Sequence, residues 1–388
     1  MKNNVLVVHG GGPTAVMNAS LYGVLVEAKK QKQVGTVYGA MGGMEGVING
    51  DFLNLSQYEE DKLRLLLQTP GSALGSSRYP VSEKEYDRIP SILQKYNIGY
   101  LLSNGGNGTM DTCGKIYKSC LKQGVDIKVV GIPKTMDNDI AVTDHTPGYG
   151  SAARYIAGTV KEIGEDVRSL PIHISVVETF GRNAGWLAAS SALAREKKGD
   201  APHLIYLPER PFDEEQFLKD VKRIYEEKGY AVVVASEGLK RKDGSLLVEP
   251  VFQTERAIYY GDVSAYLSKL IIQKLGIKAR NEKTGLSSRA SIAWQSSVDR
   301  KEAQLVGEYA LKLALAGKNG IMVGMEREIN ENQTYQIKLI EIPIEDVMLW
   351  EKPVPDNYIN AQGNDVTEEF ITWCRPLIGE QLPTFLRW

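Results

Sequence analysis

The 388-residue sequence has few residues of the kinds that build disulfide-linked or metal-dependent folds. Its three cysteines are widely spaced, and it has only four histidines, so neither a disulfide framework nor a zinc pattern is present. No apolar run approaches the ~18 residues that span a bilayer, and the apolar N-terminal stretch breaks at glycines before a signal peptide would be complete. We therefore expect a cytoplasmic protein that is neither exported nor inserted in a membrane.

Positive charge is not in excess. The 46 Lys and Arg residues are balanced by 48 Asp and Glu residues, which gives a formal net charge of -2. Because nucleic-acid binding depends on clustered cations that neutralise backbone phosphates, the composition argues against a nucleic-acid partner. The sequence also has no G-x-x-x-x-G-K-[ST] motif, which excludes the P-loop class of phosphate-binding proteins. Small anionic substrates are still compatible with local sites.

What the sequence does contain is a regular alternation of β-branched runs and helical patterns. The apolar runs lie at 5–8, 35–39, 100–103, 127–133, 174–179, 204–208, 230–236 and 321–324. Continuous apolar runs are typical of buried parallel strands. The helical patterns lie at 14–30, 82–95, 149–163, 182–195, 213–227 and 300–315. The alternation predicts an α/β fold with parallel sheets, and the number of units predicts two sheets.

Two glycine-rich turns follow predicted strands and open into helices. The first spans residues 10–14 after the first strand, and the second spans residues 105–109 after the strand at 100–103. Glycines let backbone N–H groups approach an anion, and a helix N-terminus adds partial positive charge. Both turns are therefore candidate phosphate loops. A tight turn without a ligand is the alternative for the first, because it lacks the spaced G-x-G-x-x-G pattern.

The segment after the strand at 127–133 is the richest in reactive groups. It places Lys134, Thr135, Asp137 and Asp139 within six residues. An Asp at the end of a strand can act as general base on a hydroxyl, and a nearby Lys can hold a phosphoryl group in transfer. The alternative is a solvated polar turn. A purely structural turn has no need to pair a base with a cation, so we favour the catalytic interpretation.

Two arginines lie in similar positions. Arg78 follows a Gly/Ser run, and its guanidinium has the geometry to bridge phosphate oxygens. Arg182 follows the strand at 174–179 close to a helix start, where a structural arginine is unfavourable. Each arginine alone is more often a surface charge. Because ligands of such folds sit beyond the carboxyl ends of strands, their shared location makes both candidate ligand contacts.

Six segments in this order resemble the phosphofructokinase family over roughly residues 5–316: GGGPTAVMN, GSALGSSR, GGNGTMDT, PKTMDND, VVETFGRNAGW and SEG. The tail, with KPVP at 352–355 and GNDVTEEF at 363–370, resembles the longer bacterial, pyrophosphate-dependent members. The resemblance implies two Rossmann-like domains with the active site in the cleft between them. A donor-binding domain would comprise residues 1–144 and 286–388, and a sugar-phosphate-binding domain residues 145–285. A homodimer or homotetramer is also implied.

The resemblance further implies an activity and a role for each matched residue. The reaction would transfer a phosphoryl group to the 1-hydroxyl of fructose 6-phosphate in glycolysis, with Mg2+ bridging the donor. Asp137 would be the base, supported by Thr135 and Asp139, while Lys134 and Arg182 would steady the phosphoryl group. The donor would be held by Gly11, Gly12, Arg78, Gly106, Asn107, Gly108 and Thr109. The sugar phosphate would be held by Thr135, Phe180, Gly181, Arg182, Glu237 and Arg289.

Three departures from the family pattern concern the metal site and the two ends of the strand before Gly-Arg. Family members usually carry a magnesium-binding Asp where Asn107 or Gly108 stands, so Asn107 is at most a weak metal ligand. The ion would rely on donor oxygens, on water and on Asp137 or Asp139. Phe180 replaces the usual Met. His173 occupies the place of an Arg or Lys, and is interpreted either as a contact to the sugar phosphate or as a buried structural histidine.

The motif for the sugar phosphate can be aligned in two registers. Aligned backward from residues 298–299, it supplies Arg289, whereas aligned on Gln295 it supplies no arginine. We prefer the first register, because a phosphate without a guanidinium partner would be poorly compensated. A kinase for a different sugar phosphate is the alternative.

The donor is either ATP or pyrophosphate. Lys134 in PKTxDND is typical of pyrophosphate users, although it occurs in some ATP users. Gly108 favours ATP, since pyrophosphate-dependent members carry Asp there, and a carboxylate would crowd the α-phosphate of a nucleotide. We therefore expect ATP first and pyrophosphate second. Two different functions also stay open: a catalytically weak sensor of sugar phosphate or nucleotide and, on the glycine turn alone, a nicotinamide-dependent oxidoreductase.

Overall fold

The structure is a computed structural model that describes residues 3–253, 258–259, 261–329 and 334–388. It divides into two units, each formed from two stretches of chain. Unit 1 comprises Met1–Ser151 and Arg289–Lys352, and unit 2 comprises Ala152–Ser288 and Pro353–Trp388. Within the described ranges, no helix is both long enough and apolar enough to cross a bilayer.

The tail after Lys352 differs from the sequence prediction, which placed it in the donor-binding domain. Its contacts are with unit 2. The backbone N–H of Ile205 donates to the carbonyl oxygen of Asn364 at 2.9 Å, and Arg195 forms a 3.0 Å ion pair with Asp365. The tail belongs to unit 2 because backbone hydrogen bonds and ion pairs between segments distant in sequence hold it there, and these leave no local signal.

Strands are β1 (Asn3–His9), β2 (Val34–Ala40), β3 (Phe52–Asn54), β4 (Ile98–Gly105), β5 (Lys128–Pro133), β6 (Ile174–Thr179), β7 (Leu204–Tyr206), β8 (Ala231–Ser236), β9 (Phe252–Gln253), β10 (Ile258–Tyr259), β11 (Ala279–Lys283), β12 (Ile321–Ile329) and β13 (Tyr335–Pro343). Helices are α1 (Met17–Lys30), α2 (Met44–Asn49), α3 (Glu60–Arg64), α4 (Glu83–Lys95), α5 (Asn107–Lys122), α6 (Tyr149–Ser169), α7 (Trp186–Ser190), α8 (Glu214–Lys228), α9 (Val263–Leu275), α10 (Ser287–Ala290), α11 (Ser297–Leu315) and α12 (Glu368–Cys374). Short 3-10 helices are Leu55–Gln57, Leu65–Gln68, Ser191–Ala194, Ile344–Asp346, Asp356–Tyr358 and Arg375–Ile378.

The predicted α/β class is confirmed, and every predicted strand is present. The predicted helix over 182–195 is shorter: α7 begins at Trp186 and continues as a 3-10 turn. The edge strand β13 was not predicted. It pairs antiparallel with β12 along its whole length, but its side chains are mostly exposed or half-buried, so its sequence lacks the apolar run by which the buried strands were found.

Unit 1 is built on a seven-stranded sheet in the order β13-β12-β5-β4-β1-β2-β3. The inner strands are parallel, whereas the edge strands β3 and β13 pair antiparallel. Successive residues of β1 point to opposite faces: Val5 and Val7 join one apolar cluster, and Leu6 and Val8 join the other. Both faces of this sheet are therefore covered, which explains the continuously apolar strands.

Three neighbouring strands of this sheet end at the same edge. The order β5-β4-β1 is parallel, with His9 opposite Asn104 and Gly105 opposite Pro133. The two glycine loops and the segment that begins at Lys134 directly follow these strand ends. The sheet thereby brings the three predicted chemical segments of unit 1 side by side.

Unit 2 contains a smaller, wholly parallel sheet in the order β11-β6-β8-β7, and a two-stranded antiparallel pair of β9 and β10. Helices α8 and α9 cover one face of the parallel sheet through a shared apolar cluster. Strands β6 and β8 are neighbours, with Thr179 opposite Ser236. The segments that follow them, which carry Arg182 and Glu237, are consequently adjacent.

Candidate active site

The first glycine loop is held in place by backbone hydrogen bonds from both sides. The N–H of Gly10 donates to the carbonyl oxygen of Asn104 at 2.9 Å, and the N–H of Gly11 donates to the carbonyl oxygen of Ser77 at 3.1 Å. Gly11 has a φ of +75°, a conformation that disfavours any side chain. The hydroxyl of Ser76 donates to the carbonyl oxygen of Gly11 at 2.6 Å. The loop is thus fixed before any ligand binds.

The second glycine loop leads into the N-terminus of α5. Gly106 precedes this helix directly, and Asn107 and Gly108 are its first residues, so their N–H groups have no partner within the helix and favour an anion. Thr109 lies between the two loops: a Cβ on either Gly10 or Gly105 would collide with its Oγ1. A Cβ on Gly108 would meet no atom within 4 Å. This position is open space.

The segment after β5 turns sharply between the two predicted carboxylates. Asn138 has a φ of +54°, and its side-chain oxygen accepts the N–H of Thr146 at 3.1 Å. The N–H of Asp137 donates to Oγ1 of Thr135 at 3.1 Å. Asn tolerates the left-handed conformation that this turn requires. The turn therefore holds Asp137 and Asp139 at the end of β5, on either side of a buried residue.

Lys134 is a buried cation whose side chain crosses to the first glycine loop. Its Nζ donates to the carbonyl oxygen of Gly12 at 2.5 Å, and only 2% of the residue is exposed. Burial lowers the pKa of Lys134 to about 8, against the opposing influence of Asp137. The ammonium therefore loses its proton more easily than an exposed lysine does. A bound phosphate would raise the pKa again, because its negative charge favours the charged form of the lysine.

Two arginines lie beside the same loop. A methyl group on Gly12 would approach Nη1 of Arg289 to 2.7 Å and Nη2 of Arg78 to 4.0 Å. Burial, followed by the charge of Arg78, lowers the pKa of Arg289. With Lys134, these side chains form a cluster of three cations around one glycine. Such a cluster is costly without an anion, and is suited to phosphate groups.

The location of Arg289 bears on the two registers of the sugar-phosphate motif. The side-chain amide of Gln295, on which the other register depends, donates to the carbonyl oxygens of Ala15 and Leu67 at 2.8 and 3.1 Å. Gln295 therefore has a structural role, whereas Arg289 lies at the anion-binding loop. The structure places Arg289 beside Gly12, one of the predicted donor contacts, and its assignment to the sugar phosphate stays a prediction.

Asn107 and Asp139 are joined by a hydrogen bond. The amide Nδ2 of Asn107 donates to Oδ2 of Asp139 at 2.9 Å. Burial raises the pKa of Asp139 to about 7, with further contributions from the charges of Asp137 and Glu351. Across the described residues, Oδ1 of each side chain is buried and shows no hydrogen-bond partner. Two buried acceptor oxygens are thus left on side chains that join the second glycine loop to the segment of the predicted base.

Unit 2 brings together a separate set of predicted residues. The hydroxyl of Ser236 donates to the carbonyl oxygen of Gly181, and a Cβ on Gly238 would collide with the carbonyl oxygen of Arg182. Only glycine allows the two backbones to approach so closely. The segments that carry Phe180, Arg182 and Glu237 are therefore packed against one another at the carboxyl ends of β6 and β8.

His173 is placed differently from the other sugar-phosphate candidates of unit 2. It precedes β6, at the opposite end of the strand from Gly181, which at about 3.3 Å per residue separates them by roughly 20 Å. His173 is buried, and burial followed by the charges of Arg280 and Lys278 lowers its pKa. Within this unit it does not join Arg182 and Glu237.

Sequence reasoning missed residues that position the predicted base. Thr146 donates its hydroxyl to the carbonyl oxygen of Thr135 at 2.9 Å, and the backbone N–H of Lys352 donates to that of Asp139 at 2.8 Å. Lys352 begins the KPVP segment, which the sequence linked only to the family resemblance. The Asp-Asn-Asp run carried a usable signal, because Asn between two carboxylates favours a left-handed turn. Thr146 and Lys352 carried none.

Comparison with known proteins identifies the family. The family profile described as Phosphofructokinase matches residues 4–314. A Rhodospirillum rubrum protein named pyrophosphate–fructose 6-phosphate 1-phosphotransferase is 37% identical, covering 100% of this chain and 96% of that protein. An Alkalicoccus urumqiensis protein named sulfofructose kinase is 33% identical, covering 92% of each. The crystal structure of a pyrophosphate-dependent phosphofructokinase from Nitrosospira multiformis has a TM-score of 0.90 at 33% identity, covering 99% of this chain and 94% of that one.

These comparisons confirm the family resemblance inferred from the motifs, including the resemblance to the longer pyrophosphate-dependent members. They do not favour ATP over pyrophosphate as the donor, although the sequence of the second glycine loop led us to expect ATP first. The names of the relatives from Rhodospirillum and Nitrosospira both specify pyrophosphate. The roles assigned to individual residues are not addressed by these comparisons and stay predictions.

Proposed function

This chain belongs to the phosphofructokinase family, and from that premise we propose that it transfers a phosphoryl group from pyrophosphate to the 1-hydroxyl of fructose 6-phosphate. It is a phosphotransferase with an alcohol acceptor. The observation that carries the proposal is the convergence of three cations on the first glycine loop, next to a carboxylate that follows β5. Lys134, Arg78 and Arg289 supply the charge for phosphate groups, and Asp137 supplies the base.

The choice of pyrophosphate over ATP rests on two observations. Relatives that cover nearly the whole chain are named for pyrophosphate, and Lys134 lies in the PKTxDND pattern typical of such members. The open space at Gly108 was our reason to expect ATP. Open space admits the smaller donor as well as the larger one, so it does not select between them. ATP is therefore the second candidate donor.

In the proposed reaction, Asp137 accepts the proton of the sugar 1-hydroxyl as the oxygen attacks a phosphorus atom of pyrophosphate. The new O–P bond forms while the bridging P–O bond breaks, and inorganic phosphate leaves. Lys134 and Arg78 stabilise the charge on the moving phosphoryl group, and the N–H groups at the start of α5 hold the donor oxygens. Most of the acceleration in such a reaction comes from positioning and from charge stabilisation by cations.

The side chains near Asp139 fit a magnesium ion. Mg2+ takes oxygen ligands, and in phosphate-transfer sites it commonly uses one or two protein oxygens with donor oxygens and water. The buried Oδ1 atoms of Asn107 and Asp139 are two such oxygens. Among the residues that the structure describes, no group of three or more His, Cys, Asp or Glu side chains could hold a metal. Asn107 and Asp139 would therefore share the ion with the donor, whose charge it would neutralise.

A second candidate acceptor is a sugar that carries a sulfonate instead of a phosphate. A relative named sulfofructose kinase is similar to this chain over 92% of its length.

Steady-state kinetics with purified protein and MgCl2 test the proposal. Fructose 6-phosphate or sulfofructose would be the acceptor, and pyrophosphate or ATP the donor, with the phosphorylated sugar detected directly. We expect turnover with fructose 6-phosphate and pyrophosphate. Turnover with ATP alone would overturn the donor, and turnover with sulfofructose alone would establish the second acceptor. Binding of fructose 6-phosphate without any turnover would indicate a sensor rather than an enzyme.

A further inference from the structure

The loop that carries the predicted base is closed on itself. Residues 135–148, here named the base loop, begin and end side by side, because the N–H of Thr135 donates to the carbonyl oxygen of Pro147 at 3.2 Å. Within the loop, Thr146 bonds to both Asn138 and Thr135. The rear half of the loop, residues 143–147, therefore supports the front half, in which Asp137 and Asp139 lie. Whatever fixes the rear half also fixes the base.

Three hydrogen bonds hold the rear half of the base loop: two join it to Met325 of strand β12, and one lies within the loop. The N–H of Asp144 donates to the carbonyl oxygen of Met325 at 2.8 Å, and the N–H of Met325 donates to Oγ1 of Thr143 at 2.9 Å. The hydroxyl of Thr143 in turn donates to the carbonyl oxygen of His145 at 2.9 Å. The base loop is therefore bonded to the sheet rather than to solvent.

Lys352 holds the base loop at two points. Its Nζ donates to the carbonyl oxygens of Thr143 and Asp144, each at 2.8 Å. Its backbone N–H donates to the carbonyl oxygen of Asp139 at 2.8 Å. One residue thus spans the front and the rear half of the loop. A lysine whose ammonium is bonded to two carbonyl oxygens contributes a charge-assisted contact at each, which is stronger than a neutral hydrogen bond.

His145 lies at the centre of this arrangement and is 1% exposed. Its Nδ1 is 2.7 Å from Oδ2 of Asp144, and its Nε2 is 2.8 Å from Oε2 of Glu302. A carboxylate only accepts hydrogen bonds, so both ring nitrogens can donate only when the ring is a cation. The hydroxyl of Tyr335 donates to Oε1 of Glu302 at 2.7 Å, and Arg327 forms an ion pair with Asp144 at 3.2 Å.

The charged groups around His145 come from each element packed against it. The base loop supplies Asp144, α11 supplies Glu302 and Asp299, β12 supplies Arg327 and β13 supplies Tyr335. Lys352 adds an ammonium near Asp144, and burial lowers the pKa of this lysine to about 8. Burial opposes a charge on the ring, but Glu302 and Asp144 prevail and raise the pKa of His145 to about 9. At neutral pH the cations His145 and Arg327 therefore face the anions Asp144 and Glu302, and the buried charges are paired.

We propose that β12, β13 and Lys352 form a charged clamp on the base loop, and that His145 is the positioning residue at the centre of this clamp. Arg327, Tyr335 and Lys352 all lie beyond residues 4–314, the part of the chain that the family profile matches. The clamp is thus supplied by a segment outside the family core. The existence of the clamp is independent of the proposed function, whereas its effect on catalysis rests on that function.

The clamp should weaken at alkaline pH. His145 has a pKa near 6.5 when unfolded and about 9 in the folded protein, so the folded state favours its protonated form. The stabilisation is fully present below about pH 6.5 and is lost as the pH rises through about 9. When the ring loses its charge, one of the two carboxylates loses its donor. Glu302 then keeps its hydrogen bond from Tyr335, and Asp144 keeps its ion pair with Arg327. We therefore expect the loop to become more mobile without unfolding.

Hydrogen exchange measured by mass spectrometry on the full chain tests the clamp. In the wild type, we expect the protection factors of residues 138–148, corrected for intrinsic exchange, to fall by about tenfold or more between pH 6.5 and 9.5. His145→Gln should show low protection at both pH values, and a fall with pH that persists in this variant would assign the change to Lys352 instead of His145. His203→Gln is the matched control, because His203 is a half-buried histidine of unit 2 that accepts one backbone N–H, and it should behave as the wild type. Protection that does not change with pH in the wild type would overturn the clamp.

Kinetics test the positioning role. Tyr335→Phe keeps the ring and removes only the hydroxyl, so it should fold even if His145→Gln does not. We expect kcat to fall by about tenfold in either variant while the KM of the donor changes less than about twofold, because the glycine loops are not touched. Lost protection with unchanged kcat would overturn the positioning role. If the wild type has no activity on these substrates, the proposed function fails, and hydrogen exchange alone decides the clamp.

Discussion

The ammonium of Lys134 donates a hydrogen bond to the carbonyl oxygen of Gly12 over 2.5 Å. This contact joins the segment after β5 to the glycine loop after β1, across the intervening strand β4. The cation is therefore held at the place where a phosphate would meet the loop. The burial that creates this contact also lowers the pKa of Lys134 to about 8, which makes its charge dependent on pH near neutrality.

Lys134 should impose an alkaline limit on donor binding. Its pKa is depressed in the folded protein, so the ammonium is charged below about pH 8 and neutral above it. We expect kcat/KM for the donor, which reports on the free enzyme, to fall about tenfold per pH unit above this value. Lys134→Arg should lose this limit because a guanidinium stays charged. Lys118→Arg, on an exposed residue of α5, should keep it. An unchanged limit in Lys134→Arg would assign it to another group.

Asp137→Ala should lower kcat by about two to four orders of magnitude, which is the usual contribution of a positioned base. The KM values should change much less, because binding depends on the cations. Asp137→Asn tests the same role with nearly the same shape. Asp126→Ala is a suitable control, since that carboxylate lies in the same unit with 82% of its side chain exposed. Near-normal turnover in Asp137→Ala would show that another group removes the proton.

Arg289→Ala should chiefly raise the KM of the sugar phosphate by about one to two orders of magnitude, the value of a charge-assisted contact. Arg289→Lys should recover part of the loss, because it keeps the charge but not the planar fork. Exposed Arg300, on the neighbouring helix, offers a control substitution to Ala. Because Arg289 lies beside Gly12, the KM of the donor must be measured as well. A larger rise in the KM of the donor than in that of the sugar phosphate would assign this arginine to the donor phosphates.

Gly108→Asp should weaken ATP binding more than pyrophosphate use. No atom lies within 4 Å of a Cβ at this position, so the change adds a carboxylate without a steric conflict inside the protein. We expect the pyrophosphate rate to stay within about threefold, while the inhibition constant of ATP against pyrophosphate rises about tenfold or more by charge repulsion. Gly108→Ala separates size from charge and should alter neither. A greater loss of pyrophosphate use would show that the loop holds pyrophosphate near residue 108.

Local sequence carried the fold class and most of the individual chemical groups. The buried strands were recognisable because a strand covered on both faces is mainly apolar, and β1, β4, β5, β6 and β8 each contain a short apolar run. Glycines at strand ends marked the phosphate loops, since positive φ and close backbone approach leave few other residue types. Lys134 and Asp137 were recognisable for a different reason, because they are charged residues that directly follow an apolar run.

Only the tertiary structure decided which distant residues meet. The sequence could not place Arg289 beside Gly12, or the tail after Lys352 in unit 2, because such contacts depend on strand order and chain crossing. The clamp around His145 was equally invisible: its residues come from the base loop, α11, β12 and β13, and none of them stands out in a local pattern. Apolar periodicity is a property of one element, whereas charge pairing in a core is a property of several elements packed together.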